Sequence, residues 1–378
     1  MMTHYKMSDV AVEVNDRENN PASSKYDRFV GLEHYVSGEV IIRNYGSTEN
    51  LESTMKIFQS GDVLVARRNV YLKRASMVDF DGLTSGDSIV LRAKNPVIGR
   101  ILPFVLNTDA FWDFADQYSD GTMSKRLSPK TLMTYEFDLP DEDELEKFAD
   151  LLWAANDTRE SYQALLRQTD ELVKSQFIEL FESAEKSFPE CTIIEACANK
   201  DDIKCGPFGT QLKQSEYTES GVAVWGIPEI NKEFQKAPEI FITPDKANQL
   251  SPYSLIPGDI AMSRKGNVGQ CAIYPESFEP GIIASDVLRI RIDKTKLVPL
   301  FMQYQLHHSE RVKNQVLQVS NGAVMAGINV TKLKGIVIYI PPIRLQKKFA
   351  DFVQQTDKSK YYEQNRIFSV TRGGELCA

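Results

Sequence analysis

The feature of this sequence that most limits its fold is an internal repeat. The segment SGDVLVARRNVYLKRA (60–75) resembles PGDIAMSRKGNVGQCA (257–272), with one insertion balanced by one deletion. Farther along, residues 119–140 align with residues 320–341 without a gap, at a constant offset of 201. Apolar positions match along this register, and chance does not readily produce such a match over this length. The chain is therefore predicted to be a tandem of two similar lobes.

Both lobes also share the order of their predicted elements. Short β-branched and aromatic strands alternate with Gly, Pro and Asn turns, and helices lie between them. The runs 101–117 and 297–315 predict a helix late in each lobe, followed by a strand that ends at Pro140 or Pro341. The sequence thus predicts an α+β (mixed α/β) fold, in which each of two pseudo-repeated lobes is followed by a helix.

The clearest single element is the long helix predicted after Pro140. The sequence continues for more than forty residues without Gly or Pro, and acidic residues crowd the first turn, where the helix dipole favours them. At about 1.5 Å per residue this helix would extend roughly 60–65 Å, too long for the interior of one lobe. Apolar residues recur at spacings of three and four, which predicts packing against a partner helix.

The helix predicted after Pro342 is about half as long, since Gly373 and Gly374 follow it. A shorter partner would leave the apolar positions from Phe177 to Leu180 exposed. Three explanations stay open: a naturally shortened chain, pairing with another copy, or a non-functional variant.

The net charge of −8 at first argues against a nucleic-acid partner, but its distribution reverses that impression. Segment 141–189 has 13 acidic and 5 basic residues, so its net charge equals that of the whole chain. The lobes on either side remain free to face a polyanion.

Membrane and secretion signals are not evident in the sequence. Charged residues interrupt every apolar run well before eighteen residues, which excludes a transmembrane helix. The N-terminal residues 1–20 become polar and acidic where a signal peptide needs its apolar stretch. We therefore expect a cytoplasmic protein with no membrane partner.

Independent catalysis and metal binding find no support. The five cysteines are an odd number and contain no CxxC pair. His307 and His308 are expected at a helix surface, and no Cys, Asp or Glu lies at the spacing of a metal site from them. Phosphate-binding, dinucleotide-binding, nucleophile-elbow and methyl-transfer motifs are absent. No catalytic residue, metal ligand or cofactor site is predicted on this chain.

The order of these features resembles the specificity subunit of a type I DNA restriction–modification system. The resemblance covers nearly the whole chain and rests on KYDRFVGLEHYVSGEV (25–40), SGDVLVARRNVY (60–71), SGDSIVLR (85–92) and KCGPFGTQLKQSEY (204–217). It implies a non-catalytic subunit in which each lobe is a target-recognition domain for one half of a split DNA sequence. The corresponding boundaries are 1–139 and 189–342 for the lobes, 140–188 for the long helix, and 343–378 for the shortened helix and tail.

The resemblance also implies how a complex is assembled. The helices would pack antiparallel as a coiled-coil spacer and dock two methyltransferase subunits, and restriction subunits would join through that core. S-adenosylmethionine, ATP and Mg²⁺ would be bound by those partners, and the ligand of this chain would be double-stranded DNA. The candidates for the subunit interface are Phe148, Leu152, Tyr162, Leu165, Leu172 and Phe177.

Base reading requires polar loop residues that reach major-groove edges, together with basic groups that contact phosphates. In the first lobe the candidates are Arg67, Arg68, Asn69, Tyr71, Lys73, Arg74, Ser124, Lys125 and Arg126. In the second lobe they are Gln211, Lys213, Arg264, Lys265, Asn267, Gln270, Ser320 and Asn321.

A simpler interpretation stands beside each of these predictions. The loop cations could be solvated charges on a two-lobed protein-interaction adaptor that reads no DNA. Trp112, Trp153 and Trp225 are expected to be packing anchors rather than base-stacking platforms. The glycines of the repeated turns are expected to adopt positive φ rather than to bind phosphate; they are Gly61, Gly86, Gly258 and Gly322.

Overall fold

A computed structural model of the protein describes residues 2–121, 124–183, 187–320 and 327–358. The chain divides into two compact units, Met1–Ser161 and Tyr162–Ala378, and the boundary lies inside a long helix. Each unit mixes short strands with helices, so the predicted α+β fold class is confirmed.

The first unit contains the following elements. Its strands are β1 (Met2–Lys6), β2 (Ala11–Val14), β3 (Arg17–Glu18), β4 (Arg28–Val30), β5 (Gly46–Ser47), β6 (Met55–Phe58), β7 (Val63–Ala66), β8 (Ala75–Met77), β9 (Gly82–Thr84), β10 (Ser88–Ala93) and β11 (Glu136–Pro140). Its helices are α1 (Met7–Val10), α2 (Pro96–Val105), α3 (Asp109–Gln117), α4 (Pro129–Leu132) and the first part of α5 (Leu145–Phe177).

The second unit contains the rest of α5 and a similar set of elements. Its strands are β12 (Glu190–Thr192), β13 (Ile203–Cys205), β14 (Val222–Trp225), β15 (Phe241–Ile242), β16 (Ser254–Leu255), β17 (Ile260–Ser263), β18 (Cys271–Ile273), β19 (Gly281–Ile283), β20 (Val287–Ile290) and β21 (Val337–Tyr339). Its further helices are α6 (Ile227–Ile230), α7 (Pro244–Gln249), α8 (Pro299–His308), α9 (Glu310–Ser320), α10 (Val330–Lys334) and α11 (343–358).

The sheets of the two units have matching topologies. An antiparallel sheet has the strand order β2-β10-β7-β8 in the first unit and β13-β20-β17-β18 in the second. A mixed sheet contains one parallel pair in each unit, β4 with β9 and β14 with β19. A two-stranded ribbon, β1 with β11 or β12 with β21, completes each set. The internal repeat read from the sequence is therefore a repeat of topology.

The repeat extends to a buried ion pair at the start of β7 and of β17. Asp62 receives two hydrogen bonds from Arg92, of 2.8 and 2.7 Å, and Asp259 receives two from Arg291, both of 2.7 Å. Each aspartate side chain is only 2% exposed, so a bidentate guanidinium is needed to compensate for the loss of hydration. These pairs hold the turn that leads into the strand.

The glycines of the repeated turns are only partly as predicted. Gly61 and Gly258 precede these aspartates with φ of +89° and +85°, which confirms the expected left-handed backbone. Gly86 does not have a positive φ, so that prediction was wrong, and Gly322 lies outside the described residues.

A buried cation in each unit comes from a different strand. Lys56 on β6 donates to the carbonyl of Ser88 on β10, whereas Arg289 on β20 donates to the carbonyl of Ser254 on β16. Strands β6 and β16 occupy equivalent positions in their sheets, as do β10 and β20. The strand that carries the donor in one unit is therefore equivalent to the strand that carries the acceptor in the other. The same pair of sheets is thus joined by different residues in the two units.

The long helix is shorter than predicted. Its α-helical part, Leu145–Phe177, has 33 residues and extends about 50 Å, not 60–65 Å. A 3₁₀ turn at Glu142–Glu144 precedes it and a π-helical turn at Ile178–Glu182 follows, and only with both turns does the helical stretch exceed forty residues. The chain leaves the α-helical path where Phe181 enters the core of the second unit.

Of the apolar positions from Phe177 to Leu180 that were expected to be exposed, only Ile178 is exposed. The ring of Phe177 is fully buried, and its centroid lies 5.6 Å from that of Phe349 on α11 and 6.0 Å from that of Phe301 on α8. Leu180 packs partly buried against the same core, and Ile178 is 42% exposed. The short helix α11 is therefore long enough to cover this end of α5.

Candidate nucleic-acid interface

The repeated basic pairs occupy the same backbone position in both units. In the first unit, Arg67 follows β7; its N–H donates to the carbonyl of Asp87, and its carbonyl accepts from Leu127. In the second unit, the N–H of Arg264 donates to Asp286 and its carbonyl accepts from Ile328. Each basic pair is thus fixed between a strand end and two loops distant in sequence.

A carboxylate neutralises the second member of each basic pair. Arg68 lies 3.5 Å from Asp87, which Arg126 also contacts at 2.5 Å. Lys265 lies 2.9 Å from Asp286 in the equivalent place. Because the side chains of Arg68 and Lys265 are both 49% exposed, each cation can exchange this partner for an external anion.

The two predicted loops of the first lobe meet in the structure. The N–H of Asn69 donates to the carbonyl of Lys125, and the hydroxyl of Ser124 donates to Asn69 Oδ1 at 2.9 Å. Arg68 Nε reaches the same hydroxyl at 3.4 Å. Tyr71 is 64% exposed at this surface. Residues from 67–74 and 124–126 therefore form one surface. The contact between these two loops could not be predicted from the sequence.

The other cations of this surface already have partners within the unit. Lys73 contacts Asp109 at 2.5 Å and Lys125 contacts Asp116 at 2.6 Å, and both acids lie on α3. The hydrogen bond with Asp109 raises the pKa of Lys73. Arg74 donates to two backbone carbonyls. Any DNA contact by the two lysines must replace an internal ion pair.

The equivalent helix of the second unit, α9, lacks two of the acids that α3 carries. Positions 314 and 317, at the offset of 201 from Asp113 and Asp116, are occupied by Asn314 and Leu317. A groove of about 780 Å³ lies between α9 and the turn at 266–270. Its lining includes Gly266, Asn267, Gly269, Gln270, Lys313, Asn314 and Leu317. This groove combines amide donors and acceptors with one ion pair, Lys313 with Glu310.

The remaining candidates of the second lobe have distinct positions. Gln211 binds the hydroxyl of Tyr253 at 2.9 Å, and Lys213 lies at the start of the next 3₁₀ turn. Ser320 is 4% exposed and its hydroxyl donates to a backbone carbonyl within α9, so its side chain is not available at the surface. Asn321 lies outside the described residues.

His307 and His308 are half-buried, which corrects the expectation of surface histidines. The N–H of Cys271 donates to Nε2 of His307 at 3.2 Å. Burial lowers the pKa of His307 to about 4, and it also lowers the pKa of His308. His307 is therefore neutral at physiological pH and acts as a hydrogen-bond acceptor at the back of the groove.

The tryptophans are packing anchors, as predicted. Trp112 and Trp225 are 3% exposed, and Trp153 donates its indole N–H to the carbonyl of Arg100. Within the described ranges, no cluster of three or more His, Cys, Asp or Glu side chains could hold a metal ion. In the same part of the chain, no helix has the length and apolar character needed to cross a bilayer.

The candidates for the subunit interface differ in exposure. Phe148 and Leu152 pack partly buried against the core of the first unit, and Tyr162 is also partly buried. In the second unit Leu165 and Leu172 are 45% and 56% exposed, whereas Phe177 is fully buried in the core. Only the two leucines present large apolar surface to solvent.

Sequence reasoning did not select Phe208 or Asn314. Phe208 is 51% exposed beside Arg264, and Asn314 lines the groove. The sequence signal for Phe208 was the GPFG turn (206–209), and the signal for Asn314 was its offset of 201 from Asp113 on α3.

Taken together, the two units share a mixed α/β topology and a basic turn at the same backbone position. The family model for the type I restriction modification DNA specificity domain matches residues 206–372. That stretch is therefore a DNA specificity domain of this family, and the resemblance to type I specificity subunits is confirmed.

One relative and two solved structures are similar to this chain. A putative type I restriction enzyme MjaX specificity subunit from Methanocaldococcus jannaschii is 32% identical over 116 residues, which are 30% of this chain and 27% of that protein. The S subunit of a type I restriction-modification system from M. genitalium has a TM-score of 0.55 at 13% identity, covering 100% of this chain and 94% of that one. A chain from a structure of type I R-M complex assembly and conformational transition has a TM-score of 0.54 at 18% identity, covering 98% and 95%. At these identities the two structures establish the fold.

Proposed function

We propose that this chain is the specificity subunit of a type I restriction–modification complex and that each lobe reads one half of a split DNA target. The observation that supports this most directly is the duplicated basic turn. Arg67 and Arg264 are held by the same backbone hydrogen bonds in two units that share few residues. In both units this position is basic and the next residue is an exposed cation. Such a repeated arrangement is suited to a ligand that has the same backbone at both half-sites, as a DNA duplex has.

DNA contact would proceed by exchange of partners. Arg68 and Lys265 would leave Asp87 and Asp286 for phosphate oxygens, since a phosphate is also a strong acceptor and releases counterions when it is neutralised. Asn267, Gln270 and the guanidinium of Arg264 would then be placed toward base edges, where bidentate amide and guanidinium contacts discriminate bases.

Assembly would use the long helix. Leu165 and Leu172 are seven residues apart on α5 and exposed, which is the spacing of a helix-packing seam. We propose that two methyltransferase subunits dock on this helix and that the restriction subunits join through the same core. S-adenosylmethionine, ATP and Mg²⁺ would be bound by these partners, and the chain itself would be non-catalytic and act in the cytoplasm.

The experiment that tests this proposal is methylome sequencing of cells carrying the intact system, with and without this chain. A split methylated motif that disappears with the chain supports the proposal. Binding of the reconstituted complex across a salt series separates it from an adaptor function: sequence reading requires a steep salt slope and preference for one site. A complex that assembles but has neither property would be an adaptor complex.

A further inference from the structure

The loop that carries Phe208 is held rigidly. The N–H of Gly206 donates to the carbonyl of Val287, and a Cβ at Gly206 would lie 2.1 Å from the carbonyl oxygen of Ala284, so only glycine fits there. The N–H of Phe208 donates to the side chain of Gln211 at 3.1 Å. These contacts constrain the backbone on both sides of Phe208.

The phenyl ring at the tip of this loop is exposed, unlike the phenylalanines of the core. Phe208 is 51% exposed, whereas Phe234 is 4% exposed and Phe301 is fully buried in the same unit. An isolated exposed side chain needs no explanation by itself. A phenyl ring exposed beside a basic turn is different, because the fold forgoes the benefit of its burial next to a cation that can contact a ligand.

The guanidinium of Arg264 stacks on this ring. Its central carbon lies 5.2 Å from the ring centroid of Phe208, within the range of a cation–π contact. Arg264 also reaches Cys205 Sγ at 3.3 Å and the carbonyl of Ser285 at 3.4 Å. Among the ion pairs of the described residues none includes Arg264, so no carboxylate competes for its outer donors.

We infer that Phe208 contacts the C5-methyl group of a thymine in the half-site of the second lobe, and that Arg264 reads the adjacent base pair. This inference rests on the proposed function. The thymine methyl is the apolar group that the major groove displays, and an aromatic ring is one of its known contacts. An arginine whose plane is fixed by stacking is prepared for the O6 and N7 acceptors of guanine. Phe208 is thus a specificity-determining residue that also positions Arg264.

Thymine-to-uracil replacement tests the contact, because it removes only the methyl group. Each thymine of the second-lobe half-site, known from the methylome, is replaced singly, and the Kd of the reconstituted complex is measured by fluorescence anisotropy. We expect one uracil position to weaken wild-type binding about four-fold, equivalent to about 0.8 kcal/mol for one buried methyl group. Phe208→Ala should bind the thymine duplex more weakly and no longer distinguish thymine from uracil there.

Two further variants separate contact from general damage. Phe208→Tyr keeps the ring and should keep the discrimination. Tyr217→Ala removes another exposed aromatic side chain of the same unit, which stacks with no cation among the described residues, and should leave discrimination unchanged. Thermal unfolding of each variant monitors folding.

Three results would overturn the inference: a half-site without thymine, no uracil position that weakens wild-type binding, or equal loss in wild type and Phe208→Ala. The uracil scan on the wild-type chain can refute the contact even if Phe208→Ala does not fold. Failure of the proposed function would look different, since no version of the complex would then prefer any site.

Discussion

Neutralising Asp286 tests whether the repeated basic turn faces DNA. Lys265 Nζ lies 2.9 Å from Asp286 Oδ1, and both side chains are about half exposed. Asp286→Asn keeps the side-chain size and the backbone carbonyl that accepts from the N–H of Arg264, but it removes one negative charge. Because an exposed ion pair contributes only about 0–1 kcal/mol, we expect little change in the free energy of unfolding.

Binding of this variant to nonspecific duplex DNA should be tighter and depend more steeply on salt. Each cation that newly contacts a phosphate adds about 0.9 to the slope of log K against log salt concentration. If Asp286→Asn frees Lys265 for one phosphate, its gain over wild type should be about 3.5-fold larger at 50 mM than at 200 mM salt. Adding Lys265→Ala to the same variant should lower the slope again by about 0.9.

Anisotropy titrations of the reconstituted complex at four or more salt concentrations measure these slopes. The matched control is Glu276→Gln, which removes the same charge near Gly258, at the opposite end of β17 from Lys265. It should change the slope less than Asp286→Asn does. Equal slopes for Asp286→Asn with and without Lys265→Ala would refute the idea that this cation meets phosphate.

Four further predictions concern specificity, assembly, spacing and pH. Arg264→Ala should relax recognition of one half-site and leave the other intact, as read from methylated motifs. Leu172→Asp should reduce co-purification of methyltransferase subunits more than Glu171→Lys does, because a carboxylate buried in a helix seam costs several kcal/mol. Inserting four residues after Gln168 lengthens α5 by about 6 Å and should add one or two spacer positions to the methylated motif, whereas a two-residue insertion rotates the following part by about 200° and should abolish modification. His307 has a folded pKa of about 4 against 6.5 for the free side chain, so the unfolded chain binds the proton more readily and stability falls as pH decreases from 6.5 toward 4. His307→Gln should make thermal unfolding less dependent on pH in that window.

Each of these predictions has a result that would contradict it. Uniform loss of preference at both half-sites would argue against independent lobes. Wild-type co-purification with Leu172→Asp would remove that part of α5 from the interface. Full methylation at the original spacing with the four-residue insertion would mean that the length of α5 does not set the spacing between the half-sites. An unchanged pH profile in His307→Gln would place the titration elsewhere.

Local patterns determined what the sequence alone could predict. The repeat, the mixed fold class and the long helix follow from periodicity, turn residues and a fixed offset, because these act over short stretches of chain. Gly61 and Gly258 show the strength of such signals, since a turn that requires positive φ favours glycine. The basic pairs were also recognised from sequence as positions at the end of a strand, and the hydrogen bonds of Arg67 and Arg264 place them there.

Tertiary structure decided which groups those residues meet. Periodicity shows that one face of α5 is apolar but does not show what covers it, and the structure buries Phe177 in its own unit while leaving Leu165 and Leu172 exposed. The acids that neutralise the loop cations come from other parts of the chain, so no local pattern could reveal the pairing of Lys73 with Asp109. Exposure and ion pairing depend on distances between residues far apart in sequence, and only the folded chain sets those distances.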